Sequence, residues 1–66
     1  MKYDERYKGA WALKMKFENG SFAYMINLKS GLNDAQLNRL VEDMQPLVVK
    51  KIVSYEYLPY DDIFKN

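Results

Sequence analysis

The sequence predicts an α+β domain of order β-β-α-β, a three-stranded antiparallel sheet with one amphipathic helix packed on one face. Three observations predict it. Two runs of alternating side chains meet at Asn19-Gly20, an apolar stripe at helical spacing follows a capping signature at Asn33, and a β-branched, aromatic run follows Pro46. A helix that leads from a hairpin to a returning strand gives this class.

Residues 10–28 read as a β-hairpin, because Asn-Gly between alternating runs is the strongest short-range hairpin signal. With Asn19 and Gly20 as a two-residue type I′ loop, Phe17 pairs with Phe22, Met15 with Tyr24, Leu13 with Ile26 and Trp11 with Leu28. Every large pair then falls on the face that seats the helix, and a slip of one residue would divide them between faces. The reverse face carries Ala12, Lys14, Lys16, Ala23, Met25 and Asn27, where small side chains around Met25 leave room for a neighbour.

After Lys29-Ser30-Gly31, Asn33 is placed to cap a helix, with Gln36 as its reciprocal partner and Leu32 and Leu37 as a hydrophobic staple. Asp34 favours the positive helix end. Leu37, Leu40, Val41, Met44 and Leu47 recur at three and four residues, so they form one apolar stripe, while Asn38, Arg39, Glu42 and Asp43 face the other way. Pro46 stops the helix near Met44 or Gln45. Residues 48–58 read as the third strand. Ile52 breaks its alternation, which points to a bulge or to cover on both faces. Residues 1–9 read as an N-terminal arm and 59–66 as a tail with a short helical turn, flanking a core at 10–58. In the tail, Ile63 and Phe64 either tuck onto the core edge or reach a neighbour.

A chain of 66 residues is one domain. At that size about 60% of the unfolded chain's surface is buried, so the core is thin. With no Cys and no His, disulfides and the commonest metal ligands are not there to reinforce it. Association remains, and a homodimer is the expected state. The 48% apolar and 15% aromatic content allows an efficient core or a second sticky surface. No cofactor is expected. A net charge of +1 does not point to a strongly basic nucleic-acid binder or to an acidic mimic of DNA. Residues 1–8 lack the apolar run of a signal peptide, and no stretch approaches the roughly 18 apolar residues of a membrane span. A cytoplasmic protein without membrane contact is the expectation, which the absence of Cys suits.

Catalysis is not expected. The usual general base, nucleophile and metal ligands are missing. The carboxylate pairs Asp4-Glu5, Glu42-Asp43 and Asp61-Asp62 are sequence neighbours whose side chains diverge. Ser21, Ser30 and Ser54 have no visible activating base, and Gly9, Gly20 and Gly31 are isolated turn residues rather than a phosphate loop. Nucleic-acid binding is the rival reading. Lys14 and Lys16 share a face, Lys50 and Lys51 begin the third strand, and nearby tyrosines could stack on unpaired bases. Nine acidic residues offset the ten basic ones, so this reading ranks second.

From the Glu-Asn-Gly turn through the second strand, the Lys-Ser-Gly-Leu junction, the helix NDAQLNRLV and the final KKIVSYEYL, about two thirds of the chain resembles the small uracil-DNA glycosylase inhibitors of Bacillus phages. What the resemblance implies is a phage-encoded homodimer, acting in the host cytoplasm, whose large helix residues enter a hydrophobic pocket of a host enzyme. By position, Leu37 and Val41 stand where that family has aromatic anchors, and that family is acidic where this chain is near neutral. Leu37 and Val41 also belong to the stripe that the core requires, so they serve either the core or the interface. The expected function is a non-enzymatic interaction module, an inhibitor or adaptor of a host protein such as a DNA-repair or defence enzyme. Its expected partner-binding residues are Lys14, Ala23 and Met25 on the reverse face, Leu37 and Val41 on the helix, and Tyr57, Tyr60 and Phe64 on the third strand and tail.

Overall fold

The computed structural model describes residues 3–64, so the ends of the arm and of the tail (1–2 and 65–66) lie outside the described residues. Strands β1 (Trp11–Phe17), β2 (Phe22–Leu28) and β3 (Ile52–Pro59) form one antiparallel sheet in the order β2-β1-β3. Helix α1 (Asp34–Met44) covers one face, and a short helix α2 (Tyr60–Phe64) follows β3 directly. The predicted α+β architecture is the one observed. Being central, β1 is the most deeply buried strand, with Ala12, Leu13, Met15 and Phe17 all shielded. Leu13 and Met15 meet Leu37 of α1, and around them pack Ala23, Met25, Leu28, Leu32, Val41, Ile52, Tyr55 and Tyr57.

The hairpin forms where expected, but its register differs by one residue. Leu13 pairs with Met25, Lys14 with Tyr24, Met15 with Ala23 and Lys16 with Phe22. The loop is three residues long, Glu18-Asn19-Gly20. Gly20 N donates to Phe17 O at 2.9 Å, Phe17 N donates to Ser21 O at 2.9 Å, and Gly20 alone of the three has positive φ, 88°. This is the three-residue hairpin with a left-handed glycine, not the type I′ turn. Asn19 favours it, because its Oδ1 accepts from Ser21 N at 3.0 Å and from Ser21 Oγ at 2.6 Å, a local bond of the Asx kind. The consequence runs along β2. Ala23 and Met25 turn to the helix side, and Phe22 and Tyr24 turn to the reverse face beside Lys16 and Lys14. A bulge then restores the expected pair Trp11 with Leu28, and Asn27 sits there at φ 63°, a conformation Asn accepts better than most residues.

Helix α1 starts as its sequence predicts. Asn33 Oδ1 accepts from Gln36 N at 2.9 Å, Gln36 Oε1 accepts from Asn33 N at 2.9 Å, and Leu32 and Leu37 both join the core. The helix ends at Met44, followed by a single 3-10 turn through Pro46 (Gln45–Leu47). The third strand begins later than the sequence predicts, at Ile52 rather than at position 48. Its register against β1 shifts between the Lys16–Ser54 and Phe17–Ile52 pairs, so Ile52 marks a bulge. Two β3 tyrosines tie the layers together. Tyr55 OH donates to Asn38 Oδ1 at 2.6 Å, and Tyr57 OH donates to Lys29 O while accepting from Leu32 N at 3.3 Å.

The reverse face of the sheet has its own cover at the Trp11 end. Tyr60 is 2% exposed. Its ring lies 5.3 Å from Tyr3, 5.4 Å from Tyr7 and 4.8 Å from Phe64, and Phe64 lies 5.1 Å from Tyr24. Tyr60 OH accepts from Asp4 N at 2.8 Å, and Tyr3 OH donates to Asp61 Oδ1 at 2.7 Å. That bond to a carboxylate pushes the Tyr3 phenol up to about 12. The arm is therefore pinned through a 3-10 turn at Glu5–Tyr7, and Phe64 seats on the sheet instead of standing free.

Candidate functional site

The sequence-predicted contact residues do not form one surface. Leu37 is 5% exposed at the centre of the helix-side core. Val41, Ala23, Met25 and Tyr57 pack around it. Tyr60 and Phe64 belong to the aromatic cover on the other face. Lys14 lies on that face, with Nζ 4.3 Å from the centroid of the Phe22 ring and Glu56 opposite on β3. Three other places are candidate contact surfaces.

The first is loop 46–51, between α1 and β3. Leu47 is 78% exposed and Val49 wholly so. The backbone that carries them is fixed by hydrogen bonds from the Gln45 side chain and from the hairpin tip. Gln45 Nε2 donates to Lys50 O at 2.9 Å, and Gln45 Oε1 accepts from Ile52 N at 2.9 Å, so the amide of the residue before the loop clasps its far end. Glu18 N donates to Lys51 O at 3.0 Å, and Lys50 Nζ reaches Ser21 Oγ at 3.4 Å, which anchors the loop to the hairpin tip. A hollow of about 520 Å³ runs beneath it against Phe17 and Ala23. By propensity this stretch belongs to the strand, because Val48, Val49 and Ile52 all favour β structure. The contrary signal lies in Pro46 and the Lys50-Lys51 pair, which leave the segment short of the alternation a strand needs.

The second is the groove where α1 flanks the end of β2, about 680 Å³ in volume. Leu28, Leu32, Ala35 and Leu40 give it an apolar floor and wall, and among the described residues Lys29 and Arg39 are the only charged ones that line it. Here β2 is an edge strand. The Phe17–Ser21 pair is hydrogen-bonded, so antiparallel alternation turns the Ala23 and Met25 backbone toward β1 and the Phe22 and Tyr24 backbone outward. The third is the reverse face itself, where the observed register gathers Lys14, Lys16, Phe22 and Tyr24, with Phe22 45% exposed.

Among the described residues no cluster of acidic side chains could hold a metal ion, and no helix is long and apolar enough to cross a membrane. The fold and these surfaces define a small α+β domain with a braced apolar loop and an open sheet edge. No family model matches the chain, and no curated protein or solved structure matches it.

Proposed function

We propose that the chain is a non-enzymatic protein-interaction module that blocks or adapts a partner protein, and that loop 46–51 is the part it presents. The observation that carries this reading is the bracing of Leu47 and Val49, two aliphatic side chains held out in water on a backbone closed by the Gln45 amide. A loop already held in its bound shape loses little freedom on association, so more of its contact energy appears as affinity. An apolar tip followed by Lys50 and Lys51 suits a cleft that is apolar within and acidic at its rim. The sequence resemblance to phage uracil-DNA glycosylase inhibitors supports a phage-encoded inhibitor whose target is a host nucleic-acid-processing or defence enzyme. In this proposal the anchors are Leu47 and Val49 rather than Leu37, which fills the core. The thin core without Cys or His also supports a homodimer as the working state.

The double substitution Leu47→Asp with Val49→Asp tests the proposal, because both side chains are exposed and stability should stay within about 0.5 kcal/mol. As bait in a bacterial lysate, the wild-type chain is expected to retain a specific protein, read by mass spectrometry, that the double variant loses. Equal capture by both would remove the loop from the contact.

A second reading is favoured by the gathering of Lys14, Lys16, Phe22 and Tyr24 on one open sheet face, the pattern on which unpaired bases stack. It ranks below the first because Lys14 already covers the Phe22 ring and faces Glu56. A fluorescence titration with a short oligothymidylate at low and moderate salt decides it. Salt-sensitive binding lost on Phe22→Ala would support it, and no binding at low salt would end it.

A further inference from the structure

We propose that the edge of β2 and the groove beside α1 take an extended segment of a partner protein as a fourth strand, a segment that alternates apolar and acidic residues. The inference rests on the reading of the chain as a protein-interaction module, but it uses a different surface from loop 46–51.

The edge itself calls for a strand. Edge strands are ordinarily protected by charge, proline or a bulge. The other edge, β3, has all three in Glu56, Pro59 and the irregularity at Ile52. In contrast, β2 reads FAYMINL, with no charge and no proline, and its bulge comes only at its far end beside Asn27. No described residue pairs with the outward backbone groups of Phe22 and Tyr24, which suit main-chain pairing. Strand addition draws affinity from such bonds and selectivity from pockets that accept alternate side chains.

The groove supplies the pocket. It lies beside the last residues of β2, and its apolar lining of Leu28, Leu32, Ala35 and Leu40 suits one large aliphatic or aromatic side chain. Among the described residues its charge is of one sign, since Lys29 and Arg39 line it and no carboxylate does. Among the described residues Arg39 pairs with Asp43 alone, an exposed contact at 3.3 Å that costs little to exchange for an incoming carboxylate. A second copy fits this edge less well, because its own β2 carries no acidic residue to meet Lys29 and Arg39.

The test uses the full chain, isotopically labelled, with three synthetic heptapeptides. One alternates valine or phenylalanine with aspartate, one replaces the aspartates with lysine, and one carries a central proline. The acidic peptide is expected to slow amide exchange at Phe22 and Tyr24 at least about tenfold at saturation, and to shift resonances of Leu32, Ala35 and Leu40. The lysine and proline peptides should do neither, and Arg39→Glu, an exposed change that leaves Lys29 facing one carboxylate, should abolish the charge preference. Three outcomes overturn the inference: no binding of the acidic peptide at millimolar concentration, shifts confined to loop 46–51 or to the reverse face, or protection that rises with protein concentration without peptide. The last would give the edge to a second copy. None of them counts against capture through Leu47 and Val49, so failure here is distinguishable from failure of the proposed function.

Discussion

Replacing Tyr60 with alanine is expected to lower the unfolding free energy by about 3–5 kcal/mol, the usual loss for a large buried aromatic. For a domain this small the total is only roughly 3–10 kcal/mol, so the variant should be largely unfolded at ambient temperature or close to it. The size of the effect follows from what the ring joins. Tyr60 is 2% exposed and lies between Tyr3, Tyr7 and Phe64, so its loss opens a void and also releases the arm and the tail from the sheet. The bond from Asp4 N to its hydroxyl is separable from the packing. Tyr60→Phe keeps the ring and removes the acceptor, at a cost of about 1 kcal/mol. Urea denaturation followed by circular dichroism gives both numbers. A change under about 1 kcal/mol for the alanine variant would show that the reverse-face cover is not a second core.

How much of this was legible in the sequence depends on how local each signal is. The start of α1 could be read in full because Leu32, Asn33, Gln36 and Leu37 act on one another within a single turn. The existence of the hairpin was equally readable, since Asn19-Gly20 must be a turn under either geometry. Its register was not, because the two-residue and three-residue loops differ by the local bonds of one Asn side chain, and that small difference moved Ala23, Met25, Phe22 and Tyr24 to opposite faces. The bulge at Asn27 then corrected the offset only for Leu28. Loop 46–51 was hidden for another reason. Its β-branched residues favour strand, and what overrides them is Gln45, whose amide takes the Lys50 carbonyl and the Ile52 N–H that strand pairing would otherwise claim. The tail could be read as apolar, but its contact with residues near the opposite terminus spans 58 positions for Tyr3 and Asp61, a pairing no local pattern carries.

Leu37→Asp is expected to have the larger effect of the two and to unfold the domain outright. Loss of the buried leucine alone costs about 2–5 kcal/mol. An unpaired carboxylate in its place adds a desolvation penalty of several kcal/mol unless it takes up a proton or reaches water, and either escape requires α1 to move off the sheet. Leu37 contacts Leu13 and Met15, which are essentially unexposed, so no exposed rotamer of an aspartate at this position leaves that core filled. Leu37→Met keeps the volume and should cost less than about 1.5 kcal/mol, which serves as the control. The pair also decides what the stripe on α1 is for, since the sequence resemblance to the phage inhibitors implies an anchor role for Leu37 and Val41. If Leu37→Asp loses its circular dichroism and cooperative unfolding while Leu37→Met keeps both, the stripe is core and partner contact belongs to the loop or the edge. A Leu37→Asp chain that stays folded and loses only its partner would return the anchor role to the helix.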